Sequence, residues 1–224
     1  MFYVERSKII PESLLTGTSR NEDDVKNQLS IDFYNKCYLC EFSATSLEVD
    51  HFKPKSVHQH LIQDWANLFL CCRYCNSTKY ASDHILLDCT DVEHKVEQLI
   101  LHILDLDNDN ITFLVNDNYS DYIKNSGLSE AVDNTKKLLE KIFNKNKSGM
   151  YDKDTKNLRK HLAQNFNKLK ELLLFYEHFP DCAGVDLDIH KRLKEELSKK
   201  ADFSAFKRYF IEMSRFKTLS DVFD

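Results

Sequence analysis

Glycine and proline are scarce in this chain, 4 and 3 among 224 residues. That excludes collagen-like and Gly- or Pro-rich linker architectures, and no internal repeat or low-complexity segment stands in their place. Long apolar runs are missing too: none approaches the ~20 residues that span a bilayer, so no membrane segment is predicted. Met1-Phe2-Tyr3-Val4-Glu5-Arg6 lacks a basic region leading into an apolar core, which predicts no signal peptide and a cytoplasmic location. Excess positive charge is absent as well. The formal net charge is −5, not that of a stand-alone nucleic-acid binder. The Asp107/Asp109 run lacks the glycine and closing glutamate of a calcium loop and reads as a plain turn.

What remains is an ordinary globular composition, 42% hydrophobic and 30% charged, long enough for one large domain or two small ones. Charge is unevenly spread. Lys136 to Lys170 carries 11 Lys/Arg against Glu140, Asp152 and Asp154, whereas Cys37 to Lys95 carries 5 basic against 8 acidic residues. The basic stretch is either the solvated face of amphipathic helices or a nucleic-acid groove.

Cysteine is plentiful: seven in a chain with no secretory signal favour metal or catalytic use over disulfides. Cys37-x2-Cys40 and Cys72-x2-Cys75 form two pairs with the spacing that a closed, tetrahedral Zn²⁺ site requires. Cys71 abuts Cys72, but only Cys72 gives the x2 spacing to Cys75. Cys71, Cys89 and Cys182 are read as buried small hydrophobes. The 31 residues between the pairs exceed a short zinc ribbon, and they contain Asp50, His51 and Asn67. A four-thiolate site builds the fold and leaves chemistry to other groups.

Leu47, Val49 and His51 alternate with Glu48 and Asp50, predicting a short strand that Pro54 ends. Strand geometry sends Asp50 and His51 to opposite faces unless a twist or bulge reunites them. A carboxylate suits Mg²⁺, and an imidazole suits a general base near neutral pH. A helix starting near Cys72 would turn Asn76 and Lys79 toward one site. Before this segment, Pro11 is expected to block an early helix. Ser19 to Asp24 reads as the start of a helix striped by Val25, Leu29 and Phe33. After it, Val96–Leu104 and Ile111–Val115 flank a turn as a β-hairpin. From Ser129 the chain reads as helical, with apolar stripes Leu158, Leu162, Phe166, Leu169, Leu173, Tyr176; Ile189, Leu193, Leu197; and Phe203, Phe206, Phe210, Met213, Phe216. The predicted organisation is α+β: a lead and helix (1–36), a core (37–95), then a hairpin and helical region (96–224).

Cys37-x2-Cys40, Glu48-Val49-Asp50-His51-Phe52-Lys53-Pro54-Lys55-Ser56, Trp65-Ala66-Asn67-Leu68 and Cys72-x2-Cys75-Asn76-x2-Lys79 together resemble an HNH endonuclease of the zinc-bearing ββα-metal type. The wording is most similar to the HNH subunit of Septu anti-phage systems, which also occurs in retron-linked operons beside an ABC-type ATPase. The resemblance implies a ββα-metal core in which His51 activates water for attack on a phosphodiester. It further implies that Asp50 and Asn76 hold one divalent ion, Mg²⁺ or Mn²⁺, while Asn67 orients the base or its loop. Asn76 stands where many members carry the third namesake histidine, which shifts the expected preference toward hard cations. The customary glycine pair after the Asp-His strand is missing. Lys53, Lys55, Arg73 and Lys79 are candidate phosphate contacts, with solvent-facing charges as the alternative. His58 and His60 are read as loop residues.

Three readings follow: a metal-dependent nuclease that relies on a partner for grip, a zinc-stabilised adaptor without catalysis, or the same nuclease acting on RNA such as tRNA. Nothing in the motifs reads a 2′-hydroxyl, so they do not choose between DNA and RNA.

Overall fold

The computed structural model describes residues 1–17, 22–80, 84–105, 108, 110–144, 152–178 and 185–223. Strand β1 (Leu47–His51) pairs antiparallel with β2 (Leu68–Cys72), from Leu47 opposite Cys72 to His51 opposite Leu68. The helix Arg73–Lys79 follows β2 without a break. Cys72 is its N-cap, its sulfur accepting from the Cys75 N–H at 3.4 Å. All five β2 residues are buried, as expected of a strand covered on both faces. Beneath the sheet, Phe69 packs against Phe33, Tyr38 and Phe52, with ring centroids 4.7–5.5 Å away.

The lead segment differs from expectation at Pro11. A four-residue helix, α1 (Glu12–Leu15), begins directly after it, because proline's fixed φ of −55° suits a helix entry and its missing N–H has no helical partner there. In α2 (Asp23–Asp32) the predicted stripe holds, and Val25, Leu29 and Phe33 are fully buried. Glu22 occupies its N-cap position, while Ser19 lies outside the described residues. In chain order the helix after β2 is α3.

The hairpin forms, but later than expected. Val96–Leu99 is a helical turn, α4, and only Ile100–Asp105 (β3) pairs with Asn110–Val115 (β4). Val96 and Leu99 are three residues apart, so the turn buries both on one side, and Lys95 accepts from the Gln98 and Leu99 N–H groups. Tertiary burial thus overrides β propensity. Asp107 and Asp109 lie outside the described residues.

The remainder is helical: α5 (Ser120–Asn125), α6 (Ser129–Asn144), α7 (Asp152–His178), α8 (Val185–Leu197) and α9 (Ser204–Met213). Leu158, Leu162 and Phe166 of α7 join the core shared with the sheets. Leu169 and Leu173 instead pack with Ile189, Leu193 and Leu197 of α8. Phe203 and Phe206 are buried, but Met213, expected in the same stripe, is 71% exposed because α9 ends there. Cys71 and Cys89 are buried as expected, and Cys182 lies outside the described residues. No described helix is long and apolar enough to cross a membrane.

Glu41 locks this helical half onto the cysteine-bearing loop. Its carboxylate accepts from Ser204 Oγ at 2.8 Å and the Ala205 N–H at 3.0 Å, capping α9, and it meets the Met1 ammonium at 2.9 Å. Burial would raise its pKa, but the Met1 ammonium and Lys36 outweigh burial and hold it far below the carboxylate range. A depressed carboxyl pKa stabilises the fold above the ordinary value of 4.5 and loses that contribution as pH falls through the folded value. Glu41→Gln is therefore expected to cost about 3–5 kcal/mol near neutral pH, by leaving buried cations unmatched. The mutant should also show a flatter stability profile than wild type below pH ~4.5 in urea titrations.

Candidate active site and metal centre

The cysteine centre comes from two local geometries. Cys37 to Cys40 lies in a tight loop in which the Glu41 N–H donates to the Cys37 carbonyl at 2.9 Å and the Cys37 N–H to the Phe42 carbonyl at 3.1 Å. Cys72 and Cys75 straddle the β2–α3 junction. The four Sγ atoms of Cys37, Cys40, Cys72 and Cys75 all lie within 4.8 Å of one another, all buried. A tetrahedral ion with Zn–S bonds of ~2.3 Å separates sulfurs by about 3.8 Å, and Cys40 and Cys72 are 3.9 Å apart. The set fits a structural metal ion, in the register read from the x2 spacing. Cys71 Sγ lies 3.8 Å from Cys37 Sγ but is not part of the set.

Beside this centre, β1 and α3 enclose a cavity of about 540 Å³ lined by Glu48, Asp50, His51, Lys55, Arg73, Asn76 and Lys79, among others. Asp50 is 7% exposed; its Oδ2 accepts from Lys79 Nζ at 2.7 Å and from the Tyr38 hydroxyl at 3.1 Å. Burial pushes the Asp50 carboxyl above its ordinary pKa, with the Lys79 charge opposing. Asp50 and His51 are both among the residues lining this cavity, as is Val49 between Glu48 and Asp50. His51 Nε2 lies 3.0 Å from the Ile62 carbonyl. A carbonyl only accepts, so Nε2 carries the proton and Nδ1 is the basic nitrogen of the neutral ring.

Asn67 builds the loop that supplies that carbonyl. Its Oδ1 accepts from the Lys53 N–H at 2.7 Å, and its Nδ2 donates to the carbonyls of Lys53 at 3.1 Å and Leu61 at 3.2 Å. The side chain is 5% exposed, so these bonds have no ready replacement by water. Asn67→Ala is expected to cost about 2–3 kcal/mol, since truncation leaves buried backbone groups unmatched. The shift in urea midpoint at constant slope checks it.

Asn76 on α3 donates from Nδ2 to Glu48 Oε2 at 3.3 Å, so the helix turns Asn76 and Lys79 onto the strand as expected. Of the candidate phosphate contacts, Lys53, Lys55 and Arg73 are exposed. Lys79 differs: it is 6% exposed, and its Nζ is held by Asp50 and by the His51 carbonyl at 2.6 Å. The buried Asp50 carboxylate on β1 draws the ammonium inward from the end of α3, so Lys79 braces the Asp-His pair. His58 and His60 lie in and beside the short 3₁₀ turn at Gln59–Leu61. The basic stretch is partly used within the fold: Lys141 donates to the Thr78 carbonyl, Arg159 to that of Phe143, and Lys136 pairs with Glu140.

Three contributors escape motif reading. Tyr38 sits inside the first cysteine pair, yet its hydroxyl reaches Asp50. Glu48 lines the cavity beside Asn76, and strand alternation with Asp50 was the available signal. Arg6 donates to the carbonyls of Leu68 at 2.7 Å and Trp65 at 2.9 Å, bracing the Asn67 segment from 59 or more residues away; no local pattern announces it.

Residues 37–82 match the family model described as HNH endonuclease. A curated relative, the Septu protein PtuB of Bacillus thuringiensis, is 33% identical over 84 residues, covering 35% of this chain and 33% of the relative. The match therefore spans about a third of that relative's length. With its ββα order, its cysteine centre and the Asp50-His51 cleft, segment 37–82 is an HNH endonuclease-family domain.

Proposed function

We propose that the chain is a divalent-metal-dependent phosphodiester hydrolase whose reaction takes place in the Asp50–His51 cleft. The observation that carries this reading is the imidazole of His51, fixed by the Ile62 carbonyl so that Nδ1 is the acceptor, beside an oxygen-donor pair in one open cavity. In that reading His51 Nδ1 takes a proton from water as the water oxygen bonds to phosphorus and the bond to the leaving sugar oxygen breaks. Asn67 keeps the His51 ring in place through the 53–66 loop. Asp50 and Asn76 would hold Mg²⁺ or Mn²⁺ through oxygen atoms, and the ion would supply positive charge to the scissile phosphate and leaving oxygen. Zn²⁺ on the four cysteines would serve the fold alone. Lys53, Lys55 and Arg73 would contact flanking phosphates.

The acidic balance of the core leaves it without a strong phosphate clamp, and affinity resting on few phosphate contacts is small at cellular salt. The likeness to a Septu protein supports a role as the nuclease effector of an anti-phage defence complex in the cytoplasm, with an ABC-type ATPase supplying grip and control. Retron-linked operons are a second setting of the same kind. The test is to purify the chain with the ATPase its operon encodes and offer DNA and total RNA, with Mg²⁺ or EDTA, with and without nucleotide. Mg²⁺-dependent cleavage by the complex, and little by the chain alone at physiological salt, is the expected result. No cleavage of either polymer by the complex would favour the adaptor reading, which the ion pair between Lys79 and Asp50 also accommodates.

A further inference from the structure

Glu48 and Asp50 stand two residues apart on β1, so both face α3, as their bonds to Asn76 and Lys79 show. Two donors, Tyr38 and Lys79, converge on a single Asp50 oxygen, Oδ2, which leaves Oδ1 as the oxygen Asp50 can give to an ion. The Asp50 charge is already matched by the buried Lys79 ammonium at 2.7 Å. Lys55 and Arg73 line the same cavity, and beside the Asp50–Lys79 pair Glu48 is the one further carboxylate among its described lining residues. Hard divalent cations take oxygen ligands and lean on carboxylate charge. An aspartate offering one oxygen, with its charge cancelled, and a neutral amide do not supply that charge.

We propose that Glu48 is the second carboxylate of the divalent-cation site, giving the ion the carboxylate ligand that Asp50, already paired with Lys79, does not supply alone. Its Oε2 also holds the Asn76 amide nitrogen, so that Asn76 presents Oδ1 as its ligand atom. This rests on the cleft being a metal site at all, and the experiment separates the two claims. Mn²⁺ binding is measured by isothermal titration on the full chain for wild type, Glu48→Gln, Glu48→Ala and Asp50→Asn, with zinc content and melting temperature recorded for each. Glu48 is half-buried on the cleft rim, so its variants should retain both. Glu48→Gln keeps an oxygen for Asn76 and removes only charge; it is expected to weaken Mn²⁺ binding about 10–100-fold. Glutamine binding Mn²⁺ as wild type does overturns the proposal, and if only the alanine variant then weakens, Glu48 is a hydrogen-bond partner of Asn76 and nothing more. Loss in Asp50→Asn with Glu48→Gln unchanged removes Glu48 while leaving the metal site standing. Wild-type affinity in Asp50→Asn as well as in Glu48→Gln, or no Mn²⁺ bound by wild type, removes the metal site itself.

Discussion

Replacing Cys40 with serine is expected to abolish stoichiometric zinc and the cooperative unfolding transition of the 37–82 segment. Structural zinc contributes an apparent ~10–16 kcal/mol in small zinc domains at neutral pH. That is comparable to or larger than the ~5–15 kcal/mol by which a whole domain is stable. The four sulfurs lie where β1, β2, α3 and the 37–42 loop meet, so their loss unfastens the junction that sets Asp50 against Asn76. Glu41, next to Cys40, also caps α9, so the damage should spread into the helical half. Metal content by mass spectrometry and a far-ultraviolet melting curve read the outcome. A Cys40→Ser protein that melts like wild type would mean that the thiols are packed as ordinary hydrophobes. Chelator treatment of wild type should reproduce the mutant, whereas Cys71→Ser should keep its zinc, because Cys71 lies outside the four-sulfur set.

Much of this architecture is legible from local pattern. Spacing alone separates Cys72 from Cys71, and period-two alternation places a strand at 47–51. Val25, Leu29 and Phe33 mark a buried helix face. What the pattern misses is decided by contacts distant in sequence. Val96–Leu99 has the residues of a strand but coils because its apolar pair finds the core at helical spacing. Met213 continues a stripe by period, yet the helix ends before that face meets a partner.

The candidate site divides along the same line. Asp50, His51, Asn67 and Asn76 are named by motif, and the fold brings Asp50, His51 and Asn76 into one cavity while Asn67 organises its loop. Lys79 is also named by motif, and in place of a solvent-facing charge the structure has its ammonium held by Asp50 and the His51 carbonyl. Tyr38 and Arg6 are invisible to motif reading because their roles rest on hydrogen bonds to residues 12 and 59–62 positions away. Glu48 was within reach, since a residue two before Asp50 on a strand must share its face.

His51→Ala is the second change with a large expected effect. In the proposed mechanism the ring acts through Nδ1, while the Ile62 carbonyl and the Asn67 loop hold its other nitrogen in place. Losing a positioned general base typically removes a factor of about 10²–10⁴ in rate, or roughly 3–5 kcal/mol of barrier. His51 carries none of the four cysteine ligands, so zinc content should be unchanged. Asp50→Asn should reduce the rate by a different route: it loses Mn²⁺ affinity, and higher metal concentration restores part of its activity, whereas no metal concentration should rescue His51→Ala.

The role of the His51 imidazole is read out by single-turnover cleavage of labelled DNA and RNA by the chain in complex with its ATPase, wild type beside His51→Ala at equal zinc content and saturating Mg²⁺. Wild type is expected to cleave in a reaction that EDTA stops, and His51→Ala to react at least ~10²-fold more slowly. Equal rates for the two proteins would place the reaction outside the Asp50–His51 cleft.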